Sequence, residues 1–158
     1  MIKVAILTVS DRCAAGQCED LSGAALSEML SAAPFELCER TLVSDEAEAI
    51  TAELVRCADQ AKVDLVLTTG GTGLGPRDVT PEATVACCDR RVPGIAELLR
   101  AESLKHTPYA ILSRGVAALR GRTLVVNLPG SPEAVRECLD AIRDVLPHAV
   151  EMMHGGGH

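Results

Sequence analysis

The chain alternates between short apolar runs and longer stretches in which apolar residues recur at helical spacing. The run KVAILTV (3–9) is almost continuously apolar, which is typical of a strand covered on both faces. The runs DLVLTT (64–69) and TLVVNL (123–128) share this character. ELCERTLV (36–43) alternates instead, so we expect it to lie nearer the edge of a sheet. The pattern therefore predicts four strands, three of them buried.

Helical patterns follow the first two of these strands. Ser22 is expected to cap a helix after the first strand. The buried face of that helix would carry Leu26, Met29, Leu30 and Ala33. Asp45 is expected to open a helix after the second strand. Its buried side would carry Ile50, Leu54, Cys57, Ala58 and Ala61.

Two further helix starts share one short sequence pattern. Thr80-Pro81-Glu82 and Ser131-Pro132-Glu133 each offer a capping hydroxyl, then a proline, then an acid in the first turn. Another helix is predicted over residues 93–105. The last helix is expected to bury one stripe of side chains, made of Val135, Cys138, Leu139, Ile142, Val145 and Leu146.

Strands that alternate with helices in this way predict a parallel α/β fold. Each strand–helix–strand unit makes a right-handed crossover, so the helices cover both faces of the sheet. We therefore expect one domain over residues 1–150, with three α/β/α layers and a mostly parallel sheet. Residues 151–158, which end in HGGGH, are expected to form a flexible tail.

Charge and composition exclude several classes of partner. The net charge of -7 and the 1% aromatic content argue against nucleic acid, which needs basic footprints and stacking rings. No stretch is apolar and long enough to span a bilayer, and the first residues lead into a strand rather than a signal peptide. A cytoplasmic protein is expected.

The seven cysteines contain no CxxC pair and are interpreted as small hydrophobic filler.

Unusual polar segments follow each of the four predicted strands. They are SDR (10–12), SDE (44–46), GGTGLGPRD (70–78) and NLPGSP (127–132). Ligands of such folds bind at the carboxyl ends of the strands, where the turns lead into helices. The four strand-end segments are therefore expected to meet at one site.

The glycine-rich segment predicts a phosphate site. Gly70, Gly71 and Gly73 allow the backbone to approach a ligand closely, and successive N–H groups of such a loop form an anion nest. A helix beginning at Thr80 adds the positive end of its dipole. The segment is neither GxGxxG nor GxxxxGK[ST], so it predicts no dinucleotide or Walker site.

The string TTGGTGLGPRDVTPEAT (68–84) resembles the signature of the molybdenum-cofactor biosynthesis proteins of the MogA/MoaB family. The blocks AILTVSDR, LVSDEAEAI and LVVNLPGSPEAVRE are similar to that family in the same order. The resemblance extends over roughly residues 3–149 and is nearest to the molybdopterin adenylyltransferase branch. That branch implies transfer of AMP from ATP to the terminal phosphate of molybdopterin, with Mg²⁺.

The resemblance also implies roles for particular residues and partners. Asp45 and Asp78 match the functional aspartates, and Asp45 is the expected Mg²⁺ ligand. The expected substrate-binding residues are Gly70, Gly71, Thr72, Gly73, Ser113, Pro129, Gly130, Ser131, Ser10 and Asp11. Gly70–Gly73 would bind phosphate, whereas Ser113 and Pro129–Ser131 would line the pterin site. A homotrimer is favoured over a hexamer, with hand-over of the product to a molybdenum insertase.

Plainer interpretations stay open at four positions. On sequence alone an N-cap is the better explanation of Asp45, and a surface pair with Arg77 also explains Asp78. Ser113 is explained by a turn and Ser131 by a cap. Two other functions are also open: a MoaB-type paralogue, and a non-catalytic module that binds or carries molybdopterin.

Overall fold

Six strands form one sheet in the computed structural model, which describes residues 1–157. The strands are Ile2–Val9 (β1), Phe35–Val43 (β2), Leu65–Thr69 (β3), Arg90–Arg91 (β4), Ala117–Arg120 (β5) and Thr123–Leu128 (β6). Their order in the sheet is β2-β1-β3-β6-β5-β4. The first four of these pair in parallel, β5 pairs with β6 in antiparallel fashion, and β4 pairs with β5 in antiparallel fashion. The predicted mostly parallel sheet is confirmed, with β2 at one edge.

The described residues contain seven α-helices, of which the last two follow the final strand. They are Asp11–Ala14 (α1), Leu21–Met29 (α2), Ala47–Val55 (α3), Thr80–Cys87 (α4), Pro93–Ser103 (α5), Pro132–Ile142 (α6) and Leu146–Met153 (α7). A π-helical turn, Arg56–Gln60, continues α3, and a 3-10 helix, Pro108–Leu112, precedes β5. Among all these helices, none combines the length and the apolar character needed to cross a bilayer.

The helices cover both faces of the sheet, as predicted. One core cluster packs α2, α5, α6 and α7 on one face, with Leu26 and Leu139 fully buried. A second cluster packs α3 and α4 on the other face, with Leu54 and Ala83 buried. The connection from β1 to β2 and that from β2 to β3 therefore lie on opposite faces. The topological switch point of the sheet falls between β1 and β3.

The caps of the first long helix differ from the prediction. Asp20 caps α2, because its Oδ1 accepts a hydrogen bond from the Gly23 amide at 2.9 Å. Ser22, the predicted cap, instead lies buried in the first turn. Ala33 was expected on the buried face, but α2 ends at Met29 and Ala33 is exposed.

Two other predicted helix starts are also wrong in detail, and one is confirmed. Asp45 does not open α3, which begins at Ala47 without a side-chain cap. Thr80 is the first residue of α4 rather than its cap. Asp45 is bonded to Asp11 in the segment after β1, and the Thr80 hydroxyl is bonded to Gly70 at the start of its own loop. Ser131 does cap α6, since its hydroxyl accepts a bond from the Ala134 amide at 3.2 Å.

The predicted last helix is two helices. Helix α6 ends at Ile142 and α7 begins at Leu146, so Val145 lies in the turn between them and is 51% exposed. Pro147 in the first turn of α7 lacks an amide hydrogen, which favours a new helix start there. Helix α7 extends past the expected boundary at residue 150. The flexible tail stays a prediction, and residue 158 lies outside the described residues.

Candidate functional site

The four strand-end segments lie side by side, because their strands are parallel neighbours in the sheet. The segments after β1 and β2 are joined by a hydrogen bond of 2.8 Å from the Asp11 amide to Asp45 Oδ2. Those after β3 and β6 are joined by a bond of 2.6 Å from the Thr69 hydroxyl to the Pro129 carbonyl oxygen. The predicted convergence on one edge of the sheet is therefore observed.

Two glycines of the loop after β3 have backbone conformations that favour glycine. Gly70 has a φ of +98° and Gly71 a φ of +69°. A Cβ at Gly70 would collide with the Val9 carbonyl oxygen, and one at Gly71 would collide with the Thr80 hydroxyl. The Thr80 hydroxyl donates to the Gly70 carbonyl at 2.9 Å. The Thr80 hydroxyl therefore holds the loop of residues 70–78, the glycine loop, instead of capping α4.

The glycine loop presents unused amide hydrogens. Within residues 1–157, the amides of Gly71, Thr72 and Gly73 donate to no protein acceptor. The neighbouring Gly70 amide, by contrast, donates to the Leu128 carbonyl at 3.2 Å. Successive free N–H groups are the donor set of an anion nest. The local geometry thus fits a phosphate group.

An acidic cluster borders this nest. Asp11 and Asp45 exchange backbone-to-carboxylate bonds, the second running from the Asp45 amide to Asp11 Oδ1 at 2.9 Å. Burial, followed by the charges of Asp11 and Asp78, raises the pKa of Asp45. The Arg77 guanidinium lowers the pKa of Asp11. The N-cap interpretation of Asp45 is wrong, because its carboxylate is engaged with Asp11.

Asp78, at the C-terminal end of the glycine loop, is hydrogen-bonded back to Gly75 of the same loop. Its Oδ2 accepts a bond from the Gly75 amide at 2.9 Å, and a Cβ at Gly73 would lie 2.9 Å from the same oxygen. Arg77 is paired with Asp11 and Glu46, at 2.6 and 2.8 Å, so the surface pair with Asp78 is not observed in the described residues.

Arg114 is the main residue at this site that the sequence pattern does not predict. Its Nε donates to the Gly73 carbonyl at 2.8 Å, and one of its terminal nitrogens donates to the Asp78 carbonyl at 2.6 Å. Its amide donates to the Thr72 carbonyl at 2.9 Å, and its guanidinium also pairs with Glu82. The resemblance predicts a role for the adjacent Ser113, but nothing in the sequence pattern indicates these contacts between Arg114 and the glycine loop.

Replacing Arg114 with Lys should loosen the glycine loop without unfolding the chain. Lysine keeps the charge near Glu82 but cannot make both carbonyl contacts, because it lacks the planar fork of arginine. The variant loses about one of the hydrogen bonds that order the loop. The Kd of a phosphate ligand should therefore rise roughly five- to tenfold. Arg136→Lys, at a surface pair with Glu28, is the matched control. Equal affinity in both variants would show that the contacts of Arg114 do not shape the nest.

Two clefts lie on the same side of the sheet, separated by the turn 129–132. The α5–α6 cleft, of about 200 Å³, is lined by residues that include Arg100, Ser113, Asn127, Pro129 and Glu137. The β1–β3 cleft, of about 310 Å³, lies at the switch point and is lined by residues that include Ser10, Ser22, Gly70 and Gly130. Gly70 lies against the turn 129–132, since its Cα is 3.6 Å from the position of a Cβ at Gly130.

The three predicted serines all have structural roles, and two of them also line a cleft. The Ser113 hydroxyl accepts the Gly115 amide at 3.3 Å, as a turn residue does, and also lines the α5–α6 cleft. Ser10 caps α1 by accepting the Cys13 amide at 3.2 Å and lines the β1–β3 cleft. Ser131 is exposed and caps α6.

The acids do not form a complete metal cage. No group of three or more His, Cys, Asp or Glu side chains among residues 1–157 has a metal-binding arrangement. Mg²⁺ in phosphate-transfer sites is typically held by one or two carboxylates together with substrate oxygens. Asp45, whose charge is disfavoured by burial and by neighbouring acids, is compatible with that kind of ligand set.

A doubly wound α/β fold with an anion nest and acids at its strand ends defines a binder of phosphorylated small molecules. A family model described as "Probable molybdopterin binding domain" matches residues 5–148. The chain belongs to this family.

Relatives agree with this assignment over nearly the whole chain. A "Molybdopterin adenylyltransferase" of Helicobacter pylori is 45% identical, over 98% of this chain and 89% of the relative. The protein of the same name from Escherichia coli is 42% identical, over 98% of this chain and 79% of the relative. The crystal structure of a molybdopterin biosynthesis enzyme, MoaB of Thermus thermophilus, is 52% identical with a TM-score of 0.93, over 98% of both chains.

Proposed function

We propose that this chain is a molybdopterin adenylyltransferase of molybdenum cofactor biosynthesis. It would transfer AMP from ATP to the terminal phosphate of molybdopterin, giving adenylyl-molybdopterin and pyrophosphate. The relatives at 45% and 42% identity support this activity. The observation that carries the proposal is the row of free amides at Gly71, Thr72 and Gly73 beside the acids Asp45 and Asp78.

The residues divide into phosphate-binding and pterin-binding groups. The amides of Gly71–Gly73 would hold the terminal phosphate of molybdopterin, and Asp78 and Arg114 would keep their loop in shape. Ser113, together with the turn Pro129–Ser131, would line the pterin end in and beside the α5–α6 cleft. An oxygen of the bound phosphate would attack the α-phosphorus of ATP, and the bond to the departing pyrophosphate would break.

Positioning of the substrates and neutralisation of their charge would supply most of the rate enhancement. Two anionic substrates must be brought together, and this requires donors aimed at the phosphates more than a protein nucleophile. Mg²⁺, when bound, would offset the phosphate charges. Asp45 is the residue proposed to hold it, and Asp11 would hold Asp45 in place through their two backbone bonds.

A direct transfer assay tests the proposal. The purified chain is incubated with ATP, MgCl₂ and molybdopterin, and adenylyl-molybdopterin and pyrophosphate are quantified. Formation of both products in equal amounts is the expected result. Molybdopterin binding without either product would replace the enzyme with a carrier. The function of a MoaB-type paralogue is kept as a second candidate because a MoaB structure is 52% identical.

The chain is further proposed to work as a cytoplasmic homo-oligomer that passes its product to a molybdenum insertase. All seven cysteines are free, which supports a reducing compartment. The 3-10 helix Pro108–Leu112 supports self-association, because Tyr109 and Ile111 on it are 75% and 66% exposed. The trimer is favoured over the hexamer.

Light scattering should give a mass three times the 16.6 kDa of the chain at micromolar concentration. Ile111→Asp should reduce that mass, because a charge in the exposed apolar segment opposes its burial in an interface. Met152→Asp, at another exposed apolar residue, should leave it unchanged. A monomeric wild-type chain would contradict the assembly proposal.

A further inference from the structure

We infer that Cys13 and Cys18 form a redox-sensitive dithiol that hydrogen peroxide converts to a disulfide, and that this disulfide slows adenylyl transfer. The inference goes beyond the proposed function and rests on it only for the effect on turnover. Both thiols are free and half-buried, and both line the β1–β3 cleft. These two cysteines therefore depart from the interpretation of the cysteines as small hydrophobic filler.

The turn after α1 brings the two cysteines to the same cleft. The Gly16 amide donates to the Cys13 carbonyl at 3.0 Å, and the Gln17 amide donates to the Arg12 carbonyl at 2.8 Å. These two bonds, with a φ of +73° at Gly16, form a Schellman motif, which reverses the chain at the end of a helix. The reversal returns the chain to the cleft wall at Cys18.

The side chain of Cys13 is turned toward Cys18. Its thiol donates to the carbonyl oxygen of Glu19, the residue after Cys18, at 3.8 Å. Hydrogen bonding with the Cys13 thiol raises the pKa of Cys18, and burial raises it further. Cys87 and Cys88 are also neighbours, but Cys87 is buried in the core cluster beneath α3 and α4, where a dissolved oxidant does not reach it. The thiols of Cys13 and Cys18 are therefore the ones placed for oxidation to a disulfide.

Oxidation proceeds in two balanced steps. The raised pKa keeps Cys18 protonated, so the Cys13 thiolate attacks the peroxide first. Its sulfur bonds to one oxygen, the O–O bond breaks, and the other oxygen leaves as water once it is protonated, which makes Cys13 a sulfenic acid. The Cys18 sulfur then attacks the Cys13 sulfur. The S–S bond forms, the S–O bond breaks, and the Cys18 proton leaves with that oxygen as a second water. The two thiols lose two electrons, and the peroxide gains them.

The disulfide acts on the segment that holds Asp45. Cys13 lies in the single turn of α1, close to Asp11, and its amide donates to the Ser10 hydroxyl at 3.2 Å. Asp11 makes the bonds that hold Asp45, at 2.8 and 2.9 Å. A disulfide holds its two Cα atoms about 5.5–6 Å apart, so this short turn must adjust to the bond. Because a displacement of about 1 Å in a positioned group can lower a rate about a hundredfold, we expect turnover to fall at least about tenfold.

Peptide mass spectrometry tests the disulfide without turnover. The reduced chain is treated with hydrogen peroxide, blocked with N-ethylmaleimide and cleaved with trypsin and Glu-C, which places Cys13 and Cys18 in one peptide (13–19) and Cys38 in another. Peptide 13–19 should lose two hydrogens and take up no maleimide, and dithiothreitol should restore both thiols. Cys38, exposed on β2, should remain labelled. Maleimide on both Cys13 and Cys18 after peroxide, or a bond from either to another cysteine, would overturn the inference.

The transfer assay tests the consequence of the disulfide. Peroxide should lower the turnover of the wild-type chain and of Cys38→Ser at least about tenfold, and dithiothreitol should restore it. The double variant Cys13→Ser/Cys18→Ser should keep its turnover under the same treatment. In the oxidised chain the amides of Asp11 and Asp45 should also lose protection from hydrogen exchange. A disulfide that leaves the turnover or these two amides unchanged would overturn the inferred effect, whereas a reduced chain without transfer activity contradicts only the proposed function.

Discussion

Asp45→Asn should abolish most adenylyl transfer while leaving the fold at least as stable as before. The asparagine oxygen can still accept the Asp11 amide bond, so the link between the segments after β1 and β2 is kept. The negative charge proposed to hold Mg²⁺ is lost. We expect turnover to fall by a factor of about a hundred or more, or at least ~2.7 kcal/mol in the barrier.

The stability half of this prediction follows from the pKa of Asp45. Burial raises that pKa, so the ionised carboxylate is less favourable in the folded chain than in the unfolded one. The contribution of Asp45 to the stability of the fold is fully favourable only below its ordinary pKa of 3.8. It is lost as the pH rises through the raised pKa of the folded state. At pH 7 the variant should therefore melt at or above the wild-type temperature. The difference should shrink as the pH approaches 3.

Asp59→Asn is the matched control for this experiment. Asp59 is an aspartate that pairs with Arg120 at 2.6 Å and lies away from the strand-end segments. It should keep wild-type turnover. If Asp45→Asn retains more than about a tenth of wild-type turnover, a barrier change below ~1.4 kcal/mol, the charge of Asp45 is not needed for transfer.

Periodicity was sufficient to predict the layers and the parallel part of the sheet. The apolar runs of β1, β3 and β6 are covered on both faces, and this burial gives the sequence its clear pattern. Strands β4 and β5 were missed because they are only two and four residues long. The Gly121-Arg122 turn, which joins β5 to β6 with a φ of +56° at Gly121, was the available hairpin signal.

The candidate site was predictable as a set of segments but not as a set of contacts. Strand order brings the segments together, and the alternation of strands and helices predicts that arrangement. The partners of individual side chains depend on tertiary distances. Asp45 and Thr80 fit local capping patterns, yet Asp45 binds across to Asp11 and Thr80 binds back to Gly70 at the start of its own loop. Arg114 contacts the glycine loop from 41 residues away in the chain, which no local pattern indicates.

The second large effect is expected at Gly70, where alanine should damage both the fold and the activity. With a φ of +98° and the Val9 carbonyl oxygen in the way, an added Cβ can be accommodated only by moving backbone. Strain of this kind costs about 1–3 kcal/mol, and more where atoms collide. For a chain of this length we expect the melting temperature to fall on the order of 5–10 °C, with transfer activity lost in the folded fraction.

Gly73→Ala separates ligand binding from packing in the same loop. Gly73 has no positive φ, and its Cβ would meet only the side-chain oxygen of Asp78, at 2.9 Å. Because the Asp78 side chain can move, the melting temperature of the Gly73→Ala variant should fall by no more than ~2 °C. Its affinity for molybdopterin should fall roughly tenfold, because Asp78 no longer holds the loop in place. Gly94→Ala, on an open helix surface, should be neutral in both measurements. If Gly73→Ala has as low a melting temperature as Gly70→Ala but binds molybdopterin normally, Gly73 is a packing residue and is not part of the anion nest.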